Sequence, residues 1–465
     1  MLSKVRIIHI LLLAFLLRLI FFLIHQPWNP EVEKMQVISG DAVGYHYLAH
    51  CIFQHFSFCD NTFRTPGYPA FLAFFYVIFG VKPWLVLFVQ ILLNVFSVYI
   101  LYSLCKRIWN EKVALIASFL LAIDPHQILF CHFLFADTLY ATLFLLTFYF
   151  FVKGLQEERT RFFIYSAIFL GLNLLTKPVI QFYPFALVLF LFIWTKFSFT
   201  IRLKNALIIL LLSYVFVLPW MMRNYIRFNN FSICSISGNS MFFYNIPLAE
   251  AKATKIDKDT IINRNLRELA KQYPKAKYLP KESSQMWLNI TFENNEMYSA
   301  FANEYVSTHK MRYFKAHCNG MVKLMINVGT QNFLEKLHIE TKNKWNDNQR
   351  YTLSIFQQVI LFFKTKSFVE IFLGIFIIIL LAISYIGFFV GSVDMLINQK
   401  KILLWLLFAG SIFYFLMIYG VLPIVRFKLP ITMLYLPISS LGLLIIVNRI
   451  KSYYIVSKTK TSKSK

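Results

Sequence analysis

The chain has 465 residues, of which 58% are hydrophobic, 18% aromatic and only 15% charged, with a formal net charge of +25. Soluble domains carry roughly 25% charged residues, so this composition excludes an ordinary soluble protein. The positive excess falls mostly in short loops and at the termini, as in a polytopic membrane protein, and does not point to nucleic-acid binding.

The first apolar run, Ile7–Ile24, contains Arg18 and ends at His25-Gln26-Pro27-Trp28, with no small-residue cleavage site, so a retained first helix is expected. Gly40-Asp41-Ala42-Val43-Gly44-Tyr45 follows, and after it Arg64-Thr65-Pro66-Gly67-Tyr68-Pro69. Asp41 reads two ways: as the N-cap of a following helix, since Asp caps well, or as a carboxylate fixed at a helix start to take a proton. Arg64 reads as an interfacial anchor or as a guanidinium on a rigid turn, suited to holding phosphate bidentately. Cys51 and Cys59 fall in this segment, and Cys234 and Cys318 in a later one; outside the membrane either pair could oxidise.

Six basic clusters order the rest: Lys4/Arg6, Lys106/Arg107/Lys112, Lys153/Arg159/Arg161, Lys196/Arg202/Lys204, Lys400/Lys401 and the tail from Arg449. All lie in the cytoplasm only if an even number of crossings separates each from the next. The short run 67–81 opens with Pro-Gly-Tyr-Pro and is therefore read as an outer juxtamembrane or re-entrant helix. Ten crossings result, near 7–24, 84–105, 113–131, 138–152, 162–176, 178–195, 205–222, 369–391, 402–420 and 429–448, with both termini cytoplasmic. The fold class is an all-α integral membrane protein with outer juxtamembrane helices and an extracytoplasmic loop domain. The expected organisation is a transmembrane module at 1–222 with a first outer loop at 25–83, an outer domain at 223–368, and C-terminal helices with a cytoplasmic tail at 369–465. The outer domain carries about ten more basic than acidic residues, and the Lys/Ser/Thr tail is expected to be disordered.

Within the spans, Asp124-Pro125-His126 marks a bend, with Asp124 structural. Asp137 lies at an outer helix end, as an N-cap or as a second acid; a metal role with His132 would require a helix break between them. Lys177-Pro178, Pro219-Trp220 with Arg223-Asn224-Tyr225, and Arg426 through Pro430 all fall on the outer side. Arg64, Lys177, Arg223 and Arg426 are thus four cations on one face, against the positive-inside bias and near prolines that fix the backbone. Together they suggest an anionic headgroup.

This set resembles the GT-C glycosyltransferases of the protein O-mannosyltransferase and aminoarabinose-transferase type, which use polyprenyl-phosphate sugars. The resemblance covers most of the chain apart from the large outer segment. It implies inverting transfer, with Asp41 matching the general base and Arg64 the basic residue that opens the proline turn; Arg64, Lys177, Arg223 and Arg426 are expected to share the lipid phosphate. Protein mannosyltransferases carry an Asp-Glu pair where this chain has Asp41-Ala42, which leaves the acceptor open among lipid, glycan and protein. A divalent metal could share the work, but no ligand cluster stands out and no cofactor is assigned. The alternatives are a lipid-glycan ligase or polymerase, and a transporter. The implied location is the plasma membrane, with the bilayer as partner and the site on its outer face.

Overall fold

The computed structural model describes residues 6–463 apart from 275, 277–278, 286–289 and 340–352; Lys4 and the last two residues of the tail lie outside the described residues. Every regular element among the described residues is helical. The first half comprises α1 (Ile7–His25), α2 (Asp41–His55), α3 (Gly67–Phe79), α4 (Pro83–Ile108), α5 (Glu111–Ile123), α6 (Pro125–Phe130), α7 (Asp137–Glu157), α8 (Thr160–Thr176), α9 (Tyr183–Ile193), α10 (Phe199–Val215) and α11 (Leu218–Phe228). The segment 223–368 contributes α12 (Ile246–Thr254), α13 (Lys258–Gln272), α14 (Phe292–Thr308), α15 (Lys310–Ile326), α16 (Thr330–Lys336) and α17 (Ile355–Thr365). The chain then closes with α18 (Phe368–Val393), α19 (Ile402–Tyr419) and α20 (Leu429–Lys463).

Among the described residues, six helical stretches are long and apolar enough to cross a bilayer: Ile7–His25, Pro83–Ile108, Asp137–Glu157, Phe368–Asn398, Ile402–Tyr419 and Val425–Ser452. A seventh is added if α10 and α11, bent by 43°, form one broken span. The protein is thus an integral membrane protein, but the described residues do not supply ten full-length spans. The expected crossing at 113–131 is split at Asp124, whose carboxylate accepts the Gln127 N–H and caps a new helix opened by Pro125. The region 178–195 holds a short turn and an 11-residue α9, and α8 has 17 residues. The tail expected to be disordered continues α20 as helix to Lys463, consistent with the good helix propensity of lysine.

Lipid tails are as apolar as leucine, so association here depends on close packing and satisfied polar groups. Gly387 and Gly391 of α18 meet Ser439 and Gly442 of α20 so closely that a Cβ on Gly442 would sit 1.9 Å from the Gly387 carbonyl oxygen. Arg18, buried in the first span, is held entirely by neutral groups. It donates to Asn94 Oδ1 at 2.7 Å, to the Ala14 and Ala122 carbonyls at 2.9 Å, and weakly to Leu121. Its charge thereby caps carbonyls at the broken end of α5, which explains an otherwise costly intramembrane cation.

The segment 223–368 is only partly autonomous. Phe242, Phe243, Ile262, Leu266, Leu269, Met297 and Tyr298 form a small core of their own. Leu324 and Phe333 instead join the main helical core. Cys51 and Cys59 form a disulfide, whereas Cys234 and Cys318 are free thiols.

Candidate active site

Two glycines and a proline turn set the geometry. Gly40 precedes α2 with φ +56°, a left-handed conformation that glycine adopts without Cβ strain. The chain enters α2 at Asp41, and the Asp41 side chain makes no capping bond. The N-cap reading of Asp41 is therefore not realised, and its carboxylate is left for other partners. At the second turn, a Cβ on Gly67 would lie 2.7 Å from the Leu175 backbone, so only glycine lets the start of α3 meet the end of α8 this closely. Thr65 Oγ1 donates to the Thr176 carbonyl at 3.0 Å and fixes the same junction. The Arg64 turn is thereby tied to the residue preceding Lys177.

Both Asp41 oxygens are taken by arginine. Arg64 Nη2 lies 2.7 Å from Oδ1 and Arg426 Nη2 lies 2.6 Å from Oδ2. Arg64 also donates to Tyr45 Oη at 3.3 Å, with its guanidinium 4.4 Å from the Tyr45 ring centre. Burial alone would raise the Asp41 carboxyl; Arg426 and Arg64 override it and hold the group well below the usual carboxylate range. The Arg426 Nε is buried and has no hydrogen-bond partner, and an orphaned buried donor carries a desolvation cost that an incoming acceptor would remove.

A second pair lies beside the first. Lys177 Nζ is 2.6 Å from Asp137 Oδ1, and both are largely buried. Burial pulls the Lys177 ammonium below its ordinary range; Asp137 and Asp41 work against that, while Arg426 adds to it. Phe427, stacked on Tyr419 at 4.2 Å, packs under Lys177. Asp137 is the first residue of α7 and makes no capping bond, so it acts here through Lys177. Three cations thus face two carboxylates, and the cluster holds one uncompensated positive charge.

Of the four expected phosphate ligands, Arg64, Lys177 and Arg426 meet in this cluster. Arg223 does not engage it. Its guanidinium donates to the carbonyls of Cys59 and Asn61 at 2.6 and 2.8 Å, and to Asn224 Oδ1 at 2.8 Å. Asn61 accepts the Phe63 and Arg64 backbone N–H groups and donates to the Arg64 carbonyl at 2.6 Å. Arg223 therefore braces the loop that carries Arg64, next to the Cys51–Cys59 disulfide. Replacing Arg223 with Ala removes charge-assisted bonds to two carbonyls, so stability should fall by about 1–3 kcal/mol. Thermal unfolding in detergent measures this. An unchanged midpoint would show that the brace is redundant.

The helix does break between His132 and Asp137, as a metal pair would need, but His132 is spent on backbone carbonyls: Ile128 at 2.7 Å and Arg18 at 3.0 Å. Among the described residues, no group of three or more His, Cys, Asp or Glu is placed to hold a metal ion. The described residues around the cluster therefore do not fit a divalent metal.

Residues 63–222 match the family model described as dolichyl-phosphate-mannose-protein mannosyltransferase. That stretch begins beside Arg64 and includes Asp137 and Lys177, while Asp41, Arg223 and Arg426 lie outside it. Among curated proteins, none matches the chain by sequence. Among solved structures, the oligosaccharyltransferase AglB of Archaeoglobus fulgidus, in complex with an inhibitory peptide and a dolichol-phosphate, aligns with a TM-score of 0.53 at 13% identity. The chain shares its fold with that oligosaccharyltransferase. The alignment covers 98% of this chain but 52% of AglB, so the chain spans about half the length of that protein. ArnT of Cupriavidus metallidurans, bound to undecaprenyl phosphate, aligns over 93% of this chain and 77% of its own, at 13% identity and a TM-score of 0.40.

Proposed function

We propose that this protein is an inverting GT-C glycosyltransferase that moves a sugar from a polyprenyl-phosphate donor to a lipid, glycan or protein acceptor on the outer face of the membrane. The observation that carries this reading is Asp41 held between Arg64 and Arg426, with a buried Arg426 N–H still unpartnered. Such a cluster offers a base and a phosphate site within one side-chain length of each other.

In the proposed reaction the acceptor hydroxyl attacks the anomeric carbon from the face opposite the lipid phosphate. The new carbon–oxygen bond forms as the bond to phosphate breaks, and Asp41 takes the hydroxyl proton. A positioned carboxylate contributes about 10²–10⁴-fold by accepting that proton. The leaving phosphate gains negative charge, which Arg64 and Arg426 stabilise in a site shielded from water, with Lys177 adding to the positive field. The residue after Asp41 is Ala42 rather than a second acid, which argues against strict protein mannosyl transfer and leaves the acceptor class open.

Purified protein given a polyprenyl-phosphate sugar should release free polyprenyl phosphate once a crude envelope extract supplies the acceptor. No release with any donor sugar would sink the reading. Orientation is tested separately, in a variant whose exposed Cys318 is replaced by Ser. A cysteine introduced at Ala300 should react with an impermeant maleimide in intact cells, and cysteines at Asn110 or Thr200 should not. Labelling at position 110 would restore α3 as a true crossing and overturn the ten-span topology.

A further inference from the structure

One feature of the cluster sits awkwardly with simple base catalysis. A carboxylate gripped on both oxygens by guanidinium is a poor proton acceptor, and the arginines gripping it are the same ones the donor phosphate requires. Arg64 has Asp41 and Tyr45 as side-chain partners, and Arg426 has Asp41 and an idle Nε. Lys177 is engaged by Asp137. An arriving phosphate therefore meets two arginines already engaged by one internal anion.

A lipid phosphate is a competing partner for such a fork. The donor is a phosphodiester, which matches the single charge of a carboxylate and offers two unesterified oxygens to arginines of which one has an idle Nε; the released lipid phosphate is a monoester, with a charge of about −1.5 to −2 near neutral pH and three acceptor oxygens. Resting on the function proposed above, we infer that Asp41 is a stand-in for the donor phosphate: it occupies Arg64 and Arg426 in the empty site and is released as a base only when the phosphate takes them over. The base is then freed at the moment the sugar it serves is in place. After transfer, departure of the lipid phosphate lets the arginines return to Asp41 and expel the acquired proton to water. Catalysis on this scheme is donor-first, because an acceptor bound alone meets a locked carboxylate.

Mutual exclusion between Asp41 and phosphate can be read without measuring transfer. If they compete for the same arginines, removing the internal anion should tighten phosphate binding. Polyprenyl phosphate binding to Asp41→Asn protein in nanodiscs, measured by calorimetry, should be at least about fivefold tighter than to wild type, the lower end of ordinary coupling between sites. Inorganic phosphate, tested in parallel, should tighten in the same direction if the headgroup alone carries the effect; tightening confined to the lipid would assign it to the tail and overturn the inference. Asp60→Asn serves as the charge control, since Asp60 is exposed and pairs with Arg227 rather than with the cluster. An equal gain in that variant would reduce the effect to net charge and overturn the proposal.

Unchanged or weaker binding to Asp41→Asn would also overturn it, while leaving the base role to be judged by transfer. Failure of wild type and every variant to bind polyprenyl phosphate would instead remove the donor reading. If Asp41→Asn does not fold, the wild type answers the same question. Carbodiimide modification at residue 41, followed by peptide mass spectrometry, should rise when inorganic phosphate is added. Unchanged modification would contradict the stand-in role.

Discussion

Asp41→Asn protein should remain folded while losing sugar transfer by about 10²-fold or more, the loss expected when a general base is removed. Asn keeps the size of Asp but cannot accept a proton as a carboxylate does. Capping is not at stake, because Asp41 makes no capping bond at the start of α2. The substitution does leave Arg64 and Arg426 facing each other without their shared anion. With about a fifth of the Asp41 side chain exposed, a stability loss of about 1–3 kcal/mol is expected, below that for a fully buried pair. Asp41→Glu should also be poor, since a longer arm displaces a carboxylate from a geometry in which misplacement by 1 Å can cost about 10²-fold. Transfer from a polyprenyl-phosphate donor, with thermal unfolding measured in parallel, separates chemistry from folding. A fully active Asp41→Asn enzyme would remove Asp41 from the mechanism and move the search for a base to Asp137.

Arg426→Gln should be nearly as damaging, by about 10²–10³-fold in turnover, the range seen when a preorganised donor to a developing charge is removed. Arg64→Gln should behave alike, because the two guanidiniums share one carboxylate. Lysine at either position should rescue only partly, since an ammonium is a point charge without the fork that grips two oxygens. The test distinguishes substrate holding from simple anchoring. Interface anchors would leave turnover intact, and normal transfer by both glutamine variants would assign these arginines to the membrane surface alone.

Much of this site was legible in the sequence because its members break a rule. Arg64, Lys177 and Arg426 are cations that the charge pattern places on the side of the membrane where the positive-inside bias does not require them, each near a proline. Asp41 and Asp137 stood out as rare acids at helix ends. Their pairing was not legible. Nothing in local pattern says that Arg426, near the end of the chain, reaches Asp41 near its start, or that Lys177 belongs to Asp137. Arg223 carried the same signal as the other cations yet serves the loop, a distinction that depends on where the carbonyls of Cys59 and Asn61 point. Asn61, which seats Arg64 from behind, carries no motif of its own, and Tyr45 is part of the Asp41 motif with nothing in it to show that its ring lies under Arg64. Spacing could not decide between the cysteine pairs; only Cys51 and Cys59 are brought together. Charge counting set the expected number of crossings but not the helix lengths, which are cut by features such as the capping Asp124 and Pro125. The helix break at that point also gives Arg18 its carbonyl partners, so a residue that looked misplaced in the first span is explained by a distant one.

The most direct test of the central claim is a structure of the full-length protein in nanodiscs with bound polyprenyl phosphate. The lipid phosphate should lie between Arg64 and Arg426 within hydrogen-bond reach of both, with the Asp41 carboxylate turned away from them toward the space left for the acceptor. A phosphate held elsewhere, with Arg64 and Arg426 still closed on Asp41, would contradict the assignment of this cluster as the transfer site.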